Sequence, residues 1–198
     1  PRPDRPGSDA VKKGWTEVAL GELMTSRGSI DPRRSPEEEF ALLSIPAYDT
    51  GVPARVVGHE VGSAKQLVEP GDVLLSKIVP HIRRTWVVPV AGTHRRIASS
   101  EWIVFSDPRV EPQFLRHLLR SDRFHLAFMA TVAGVGGSLL RARPTGVAKI
   151  PVPLPPLDEQ RRIAAILDQA DELRAKRRAA IAHLDSLTEA IFLEMFGD

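Results

Sequence analysis

The sequence predicts an α+β chain: a mixed-sheet globular domain followed by a long C-terminal helix of coiled-coil character. Three observations carry that prediction. From Trp15 to about Arg109, short apolar runs are split by Gly, Pro, Asp and Ser, a strand-and-turn texture. Over 107–134 the texture turns helical, with Phe114, Leu115, Leu118 and Leu119 on one face. From Asp158 to Phe196 there is no proline or glycine, and apolar residues step by three and four. The 198 residues suffice for one good core plus an appendage, and the apolar and charged fractions, 42% and 26%, place the chain among ordinary globular proteins.

Taken in order, residues 1–14 (PRPDRPGSDAVKKG) are polar and proline-rich, lack the apolar core of a signal peptide, and read as a flexible tail. The globular domain is expected over 15–149. Its candidate strands are FALLSI (40–45), ARVV (54–57), KQLV (65–68), DVLLSKI (72–78), TWVVPV (85–90) and EWIVF (101–105). Pro89 demotes its run towards a sheet edge, because proline cannot donate to the ladder. EPGD (69–72) is a turn in which Gly71 supplies the freedom of a tight corner. Pro112 suits a first helical turn, Ser121 caps a second helical piece carrying Leu126, Phe128 and Met129, and GVGGS (134–138) reads as a flexible link.

Residues 150–157 (IPVPLPPL) read as a stiff proline strut, and 158–196 as one helix, with Asp158 and Glu159 at its dipole-positive end. Ile163, Ile166, Ala170, Leu173, Arg177, Ala180, Leu184, Leu187 and Ile191 form a heptad seam broken once, at Arg177. About 39 helical residues span roughly 58 Å, whereas a domain of about 150 residues has a radius of gyration near 15 Å. Such a helix overhangs its domain, and an apolar seam in water needs a partner helix. The expectation is a dimerisation seam, with Arg177 fixing register against an acidic partner.

Chemistry is scarce. The chain has no cysteine, which removes disulfides and thiolate metal sites and points to a reducing compartment such as the cytoplasm. No apolar run reaches the ~18–20 residues that cross a bilayer. The six histidines lack H-E-x-x-H spacing, so no metal is expected, and there is no G-x-S-x-G or P-loop pattern. PEEEF (36–40) reads as a solvated acidic turn. No catalytic residue and no cofactor is expected.

Charge is more informative by its distribution than by its net value of +2. Residues 157–198 hold six Lys/Arg against nine Asp/Glu, whereas the rest of the chain holds 21 against 16. A basic body joined to an acidic helix suggests two kinds of partner. Cations cluster around strand ends and loops: Ser76, Lys77, His81, Arg83 and Arg84 in one run, Arg95 and Arg96 with His94 in a second. Ser138, Arg141 and Arg143 form a third, Arg27, Arg33 and Arg34 a fourth. Such residues neutralise phosphates, and a bidentate arginine reads guanine O6 and N7. The competing reading is a non-catalytic oligomerisation adaptor whose basic domain meets an acidic protein surface. Tyr48 and Trp86 could stack on bases, although an aromatic beside a strand is more often core.

Four stretches resemble the specificity (S) subunit of type I restriction–modification systems, and one half of it in particular: a single target recognition domain plus a single conserved helix. They are GWTEVALGEL (14–23), PGDVLLSKIVP (70–80), EPQFLRHLLRS (111–121) and the block from IPVPLPPLDEQRRIAAILDQADELRAKR (150–177) to FLEMFGD (192–198). The resemblance implies a non-catalytic subunit that binds one half of a split duplex DNA target and docks methyltransferase subunits. Those subunits would bring S-adenosylmethionine, and a restriction subunit would add translocation and cleavage. It also implies pairing through the long helix, either with a second copy or with another specificity half. The stretch 137–150 departs from the more polar segment of relatives, being basic and apolar.

Overall fold

The computed structural model describes residues 14–133 and 140–197, without the side chains of 188 and 189. Twelve strands and five α-helices are described. β2 (Ser29–Ile30), β3 (Glu39–Leu43), β4 (Ala54–Val57), β5 (Lys65–Leu67) and β8 (Arg95–Ala98) make a five-stranded mixed sheet in the order β2-β5-β8-β3-β4. Its parallel pair is β3 with β8. β6 (Val73–Ser76), β7 (Thr85–Val87) and β9 (Trp102–Phe105) form an antiparallel sheet in the order β7-β6-β9. β6 and β9 are buried throughout, so this sheet lies at the centre of the domain. β7 ends at Val87 on the sheet edge, just before Pro89, as the missing N–H requires.

Between Ser44 and Gly51 the short α1 (Ile45–Thr50) sets Tyr48 against Trp86 and Trp102, with ring centroids 5.8 and 5.9 Å apart. Trp102 donates its indole N–H to the carbonyl of Leu43 at 2.8 Å. These aromatics belong to the packing of Leu43, Val68, Leu74, Val88, Ala98 and Val104, so Tyr48 and Trp86 are core residues rather than base-stacking platforms.

The second and larger core lies on the other side of the central sheet. α2 (Pro112–Arg120) buries Phe114, Leu115 and Leu119, with Pro112 in its first turn and the Glu111 carboxylate accepting from the N–H of Phe114. α3 (Asp122–Met129) is capped by the Ser121 hydroxyl and buries Phe124 and Phe128; Leu126 stays exposed. After β10 (Val132–Ala133) and β11 (Arg141–Ala142), which pair with each other, α4 (Pro144–Val147) seals the core with Val147.

One expectation is corrected at the proline-rich segment. Residues 151–154 are not a free strut but β12 (Pro151–Leu154), paired antiparallel with β1 (Thr16–Ala19). The prolines alternate with Val152 and Leu154, which are buried. In an antiparallel pair only alternate residues direct their N–H at the partner, so a strand with proline at every second position loses no ladder bond. Ile150 joins the same core and accepts from the N–H of Leu20 at 2.9 Å.

α5 (Leu157–Phe196) is a 40-residue helix, about 60 Å long. Its first turns are part of the domain. Ala164 is buried and Ile163 packs on the larger core, which corrects the assignment of Ile163 to an intermolecular seam. Gln160, fully buried, accepts from the N–H of Glu111 and donates to the carbonyls of Arg109 and Pro155. Asp168 takes Arg116 at 2.6 Å and His117 at 2.8 Å, and Asp171 takes Arg120 at 3.4 Å. Burial works against ionising Asp171, yet the hydrogen bond from Arg174 and the charges of Arg120, His117 and Arg116 together hold its carboxyl below the usual range. Ala170 is half-buried here as well.

Beyond Asp171 every described side chain is exposed, including Leu173, Arg177, Ala180, Leu184, Leu187 and Ile191; Ile166, earlier in the helix, is exposed too. The overhang expected from length is therefore observed, starting about a third of the way along the helix. Among the described residues no helix is long and apolar enough to cross a membrane, and no group of three or more His, Cys, Asp or Glu is placed to hold a metal.

Candidate nucleic-acid interface

Three pieces of chain meet where β6 ends. The Lys77 N–H donates to the carbonyl of Glu101, in the turn between β8 and β9, at 3.0 Å. The Lys77 carbonyl accepts from the N–H of Ala142 in β11 at 2.8 Å, and Ile78 bridges Arg141. The Val79 N–H donates to the carbonyl of Leu140. The loop between β6 and β7 is thus anchored by backbone on both sides, and it turns tightly through Pro80–Ile82.

Val79 and Arg83, which flank that turn, both have left-handed backbones, with φ of 46° and 55°. A β-branched valine is rarely found there, since its side chain crowds the backbone. Strain of this kind persists only where the surroundings impose it, and it gathers at working sites. Here the anchoring bonds impose it, and the result presents His81 and Ile82 outwards. Arg83 reaches back to α3, donating to Asp122 at 2.6 Å and to the carbonyl of Arg120 at 3.3 Å.

The structure divides the expected cations into two groups. Lys77 and Arg143 have no ion-pair partner among the described residues; Arg143, just before α4, is exposed. Arg141 is exposed and touches Glu101 at 3.1 Å. His81 is exposed, and Arg83 is partly so. These five gather around the anchored loop and β11, which the backbone bonds above hold together.

The other expected cations are engaged elsewhere. Arg84 spends both arms of its guanidinium on Asp49 and is 12% exposed. Arg95 and Arg96 sit on β8, at the middle of the five-stranded sheet, not on a loop. Arg95 pairs with Glu38 and lies over the Phe40 ring, while Arg96 donates to the carbonyls of Pro89, Val90, Ala91 and Gly92 and so closes the loop before β8. Ser76 is buried, its hydroxyl donating to the carbonyl of Ile78. Ser138 lies outside the described residues. Arg27 is likewise structural, gripping the buried Asp72 with two hydrogen bonds of 2.9 and 3.0 Å.

Two residues that sequence reasoning did not single out adjoin this edge. Glu101 was hidden because an isolated acid in a turn carries no signal of what it faces. His125, on α3, lies in the field of Arg83 and His81. Burial first, and then those charges, push its imidazole below the ordinary value, with Asp122 pulling the other way.

A model of the type I restriction modification DNA specificity domain matches residues 95–183, from β8 through the first two-thirds of α5. No match to the sequence is found among curated proteins. Among solved structures, the HsdS subunit from Thermoanaerobacter tengcongensis superposes with a TM-score of 0.71 at 28% identity, covering 93% of this chain and 50% of that one. A chain solved for the complex assembly and conformational transition of the type I R-M system gives 0.74 at 29% identity, covering 94% and 50%. The chain therefore spans about half the length of each of these relatives. Residues 95–183 are thus similar to the type I restriction modification DNA specificity domain, and the fold of the chain is similar to one half of these two solved chains.

Proposed function

We propose that this chain is a non-catalytic recognition subunit of a type I restriction–modification complex, working with duplex DNA in the cytoplasm. The globular domain binds one half of a split target with the cations around the β6–β7 loop and β11. The distal part of α5 pairs with a second copy, or with another specificity half, and helps to hold methyltransferase subunits that carry S-adenosylmethionine. A restriction subunit joins through the same assembly.

The observation that carries this reading is the junction of the two parts. A domain with cations grouped on one edge is joined, through buried hydrogen bonds and ion pairs, to a helix whose outer two-thirds projects beyond it. A lone binding domain has no use for such a helix, and a lone coiled coil has no use for such an edge. An adaptor for an acidic protein would share the helix but would not need arginines held in fixed orientation.

The decisive experiment reconstitutes the chain with its neighbouring methyltransferase subunit and maps methylated adenines across a genome. The expected result is methylation at a split motif, present with the chain and absent without it. Methylation that ignores the chain, or a stable complex that binds no duplex at physiological salt, would reject the reading in favour of the adaptor.

A further inference from the structure

We propose that Arg141 reads a guanine in the target half-site and that Glu101 is the positioning residue that aims it. The inference rests on the DNA-recognition reading above and adds to it a base and a geometry.

Reading guanine takes two parallel N–H donors of one guanidinium, directed at O6 and N7, and a side chain that does not wander. The arginines of the domain can be sorted by what their donors already do. Arg84, Arg96 and Arg33 have spent their forks, on Asp49, on four carbonyls and on Asp31. Arg95 is tied to Glu38 across Phe40. Arg143 is exposed with no ion-pair partner among the described residues, which suits the loose grip of a phosphate contact. Arg141 combines a fixed base with a free front. Its Cα is held in β11 by pairing with Ala133 on one side and bridging Ile78 on the other. Its side chain is 60% exposed and touches Glu101 through one terminal nitrogen at 3.1 Å, with no other ion pair among the described residues.

Glu101 is built to serve as the support. Its side chain is only 22% exposed. Its N–H donates to the Ser99 hydroxyl and its carbonyl accepts from Lys77, so the backbone that carries the carboxylate is fixed. A carboxylate behind a guanidinium restricts its rotation before the ligand arrives, and interactions prearranged in this way lose less entropy on binding. Lys77 shares the backbone joint and has no ion pair among the described residues.

An acid beside a DNA-binding edge repels phosphates everywhere and helps only where it orients a reader. That gives opposite signs for two measurable quantities. The test selects from a randomised duplex library with the full-length chain and compares Arg141→Ala, Arg141→Lys, Glu101→Ala and Glu101→Gln with wild type. Each protein's affinity for unselected duplex is measured alongside. Wild type should enrich one guanine that both Arg141 variants lose by about tenfold or more, the other positions being kept. Arg141→Lys retains charge and strand, so its loss of that base cannot be a folding defect. Glu101→Ala should blur the same base while binding unselected duplex more tightly than wild type, with Glu101→Gln in between.

A uniform loss of affinity in Arg141→Ala with every base preference intact would make Arg141 a phosphate contact and overturn the inference. A Glu101→Ala protein weakened on all duplexes would overturn the positioning role. Wild type that binds no duplex at all would instead bring down the DNA-recognition reading, and this inference with it.

Discussion

Arg84 and Arg143 carry the same charge and meet opposite fates, and nothing in their local sequence says which is which. Arg84 is folded onto Asp49 beside the aromatic core; Arg143 stands exposed at the start of α4. Composition shows where cations are, whereas only the tertiary fold shows which carboxylates and carbonyls consume them. That is why the clustering of Lys77, His81, Arg83, Arg141 and Arg143 was legible in part and the internal use of Arg84, Arg95 and Arg96 was not. Lys77→Ala combined with Arg143→Ala should weaken DNA binding on all sequences and flatten the plot of log affinity against log salt by about 0.9 for each phosphate left unneutralised. Arg84→Ala should leave that slope unchanged and lower stability by about 1 kcal/mol or less, since its partner Asp49 is half exposed. Salt titrations and thermal melts of the variants check both. His125 adds a pH dependence. Its folded value lies below the ordinary 6.5, so the free protein holds it neutral near pH 7. A nearby phosphate favours the charged form, so binding takes up a proton and affinity should rise as pH falls from about 7.5 to 6. His125→Gln should flatten that rise in pH-dependent binding titrations.

At the scale of elements, the strands with buried apolar runs were legible because their pattern is the pattern of burial. DVLLSKI holds β6 and EWIVF holds β9, both buried throughout, and the helix boundaries at Pro112 and Ser121 follow from capping chemistry. β8 and β12 were not. β8 begins with two arginines whose long side chains satisfy carbonyls and pair with Glu38, so a strand at the middle of a sheet reads as a polar loop. β12 is masked by its prolines, which are harmless only because their register places them off the ladder, and register is a property of the partner β1. The joint between α2 and α5 makes two predictions. Gln160→Ala strands the Glu111 N–H and the carbonyls of Arg109 and Pro155, and should cost about 1–3 kcal/mol in denaturant unfolding. Asp171, held below its usual 3.8, and likewise Asp107, whose carboxyl the Arg109 hydrogen bond lowers against burial, stabilise the fold when ionised. Their contribution is complete above about pH 5 and is lost as pH falls through the folded values. A melting temperature that stays level on acidification from pH 5 to 3 would contradict this. Further out, Leu187→Asp places a charge in the exposed seam and should abolish self-association in sedimentation while leaving the melting of the globular domain unchanged.

Over the whole molecule, the division into a body and a projecting helix was legible from length alone, because about 60 Å of helix cannot be covered by a domain of this size. The point at which the helix leaves the body was not. Ile163 and Ala170 continue the same periodic pattern as Leu173 and Leu187, and only the position of α2 decides that the first pair is sheltered and the second is not. If two copies pair through α5 about a two-fold axis, the two domains present the same reading edge in opposite directions. The methylated motif should then be a split inverted repeat, whereas pairing with a different specificity half should give two unlike halves. Methylation mapping distinguishes the two.

The buried hold of Gln160, with Asp168 and Asp171 behind it, makes the body and the rod one stiff lever. The 25 residues beyond Asp171 make an arm of about 38 Å, so a single degree of play moves the far tip by about 0.7 Å, and about five degrees by the rise of one base pair, about 3.4 Å. If a second unit binds the same duplex through this rod, the tolerance with which it finds its place is set beneath the first turns of the helix.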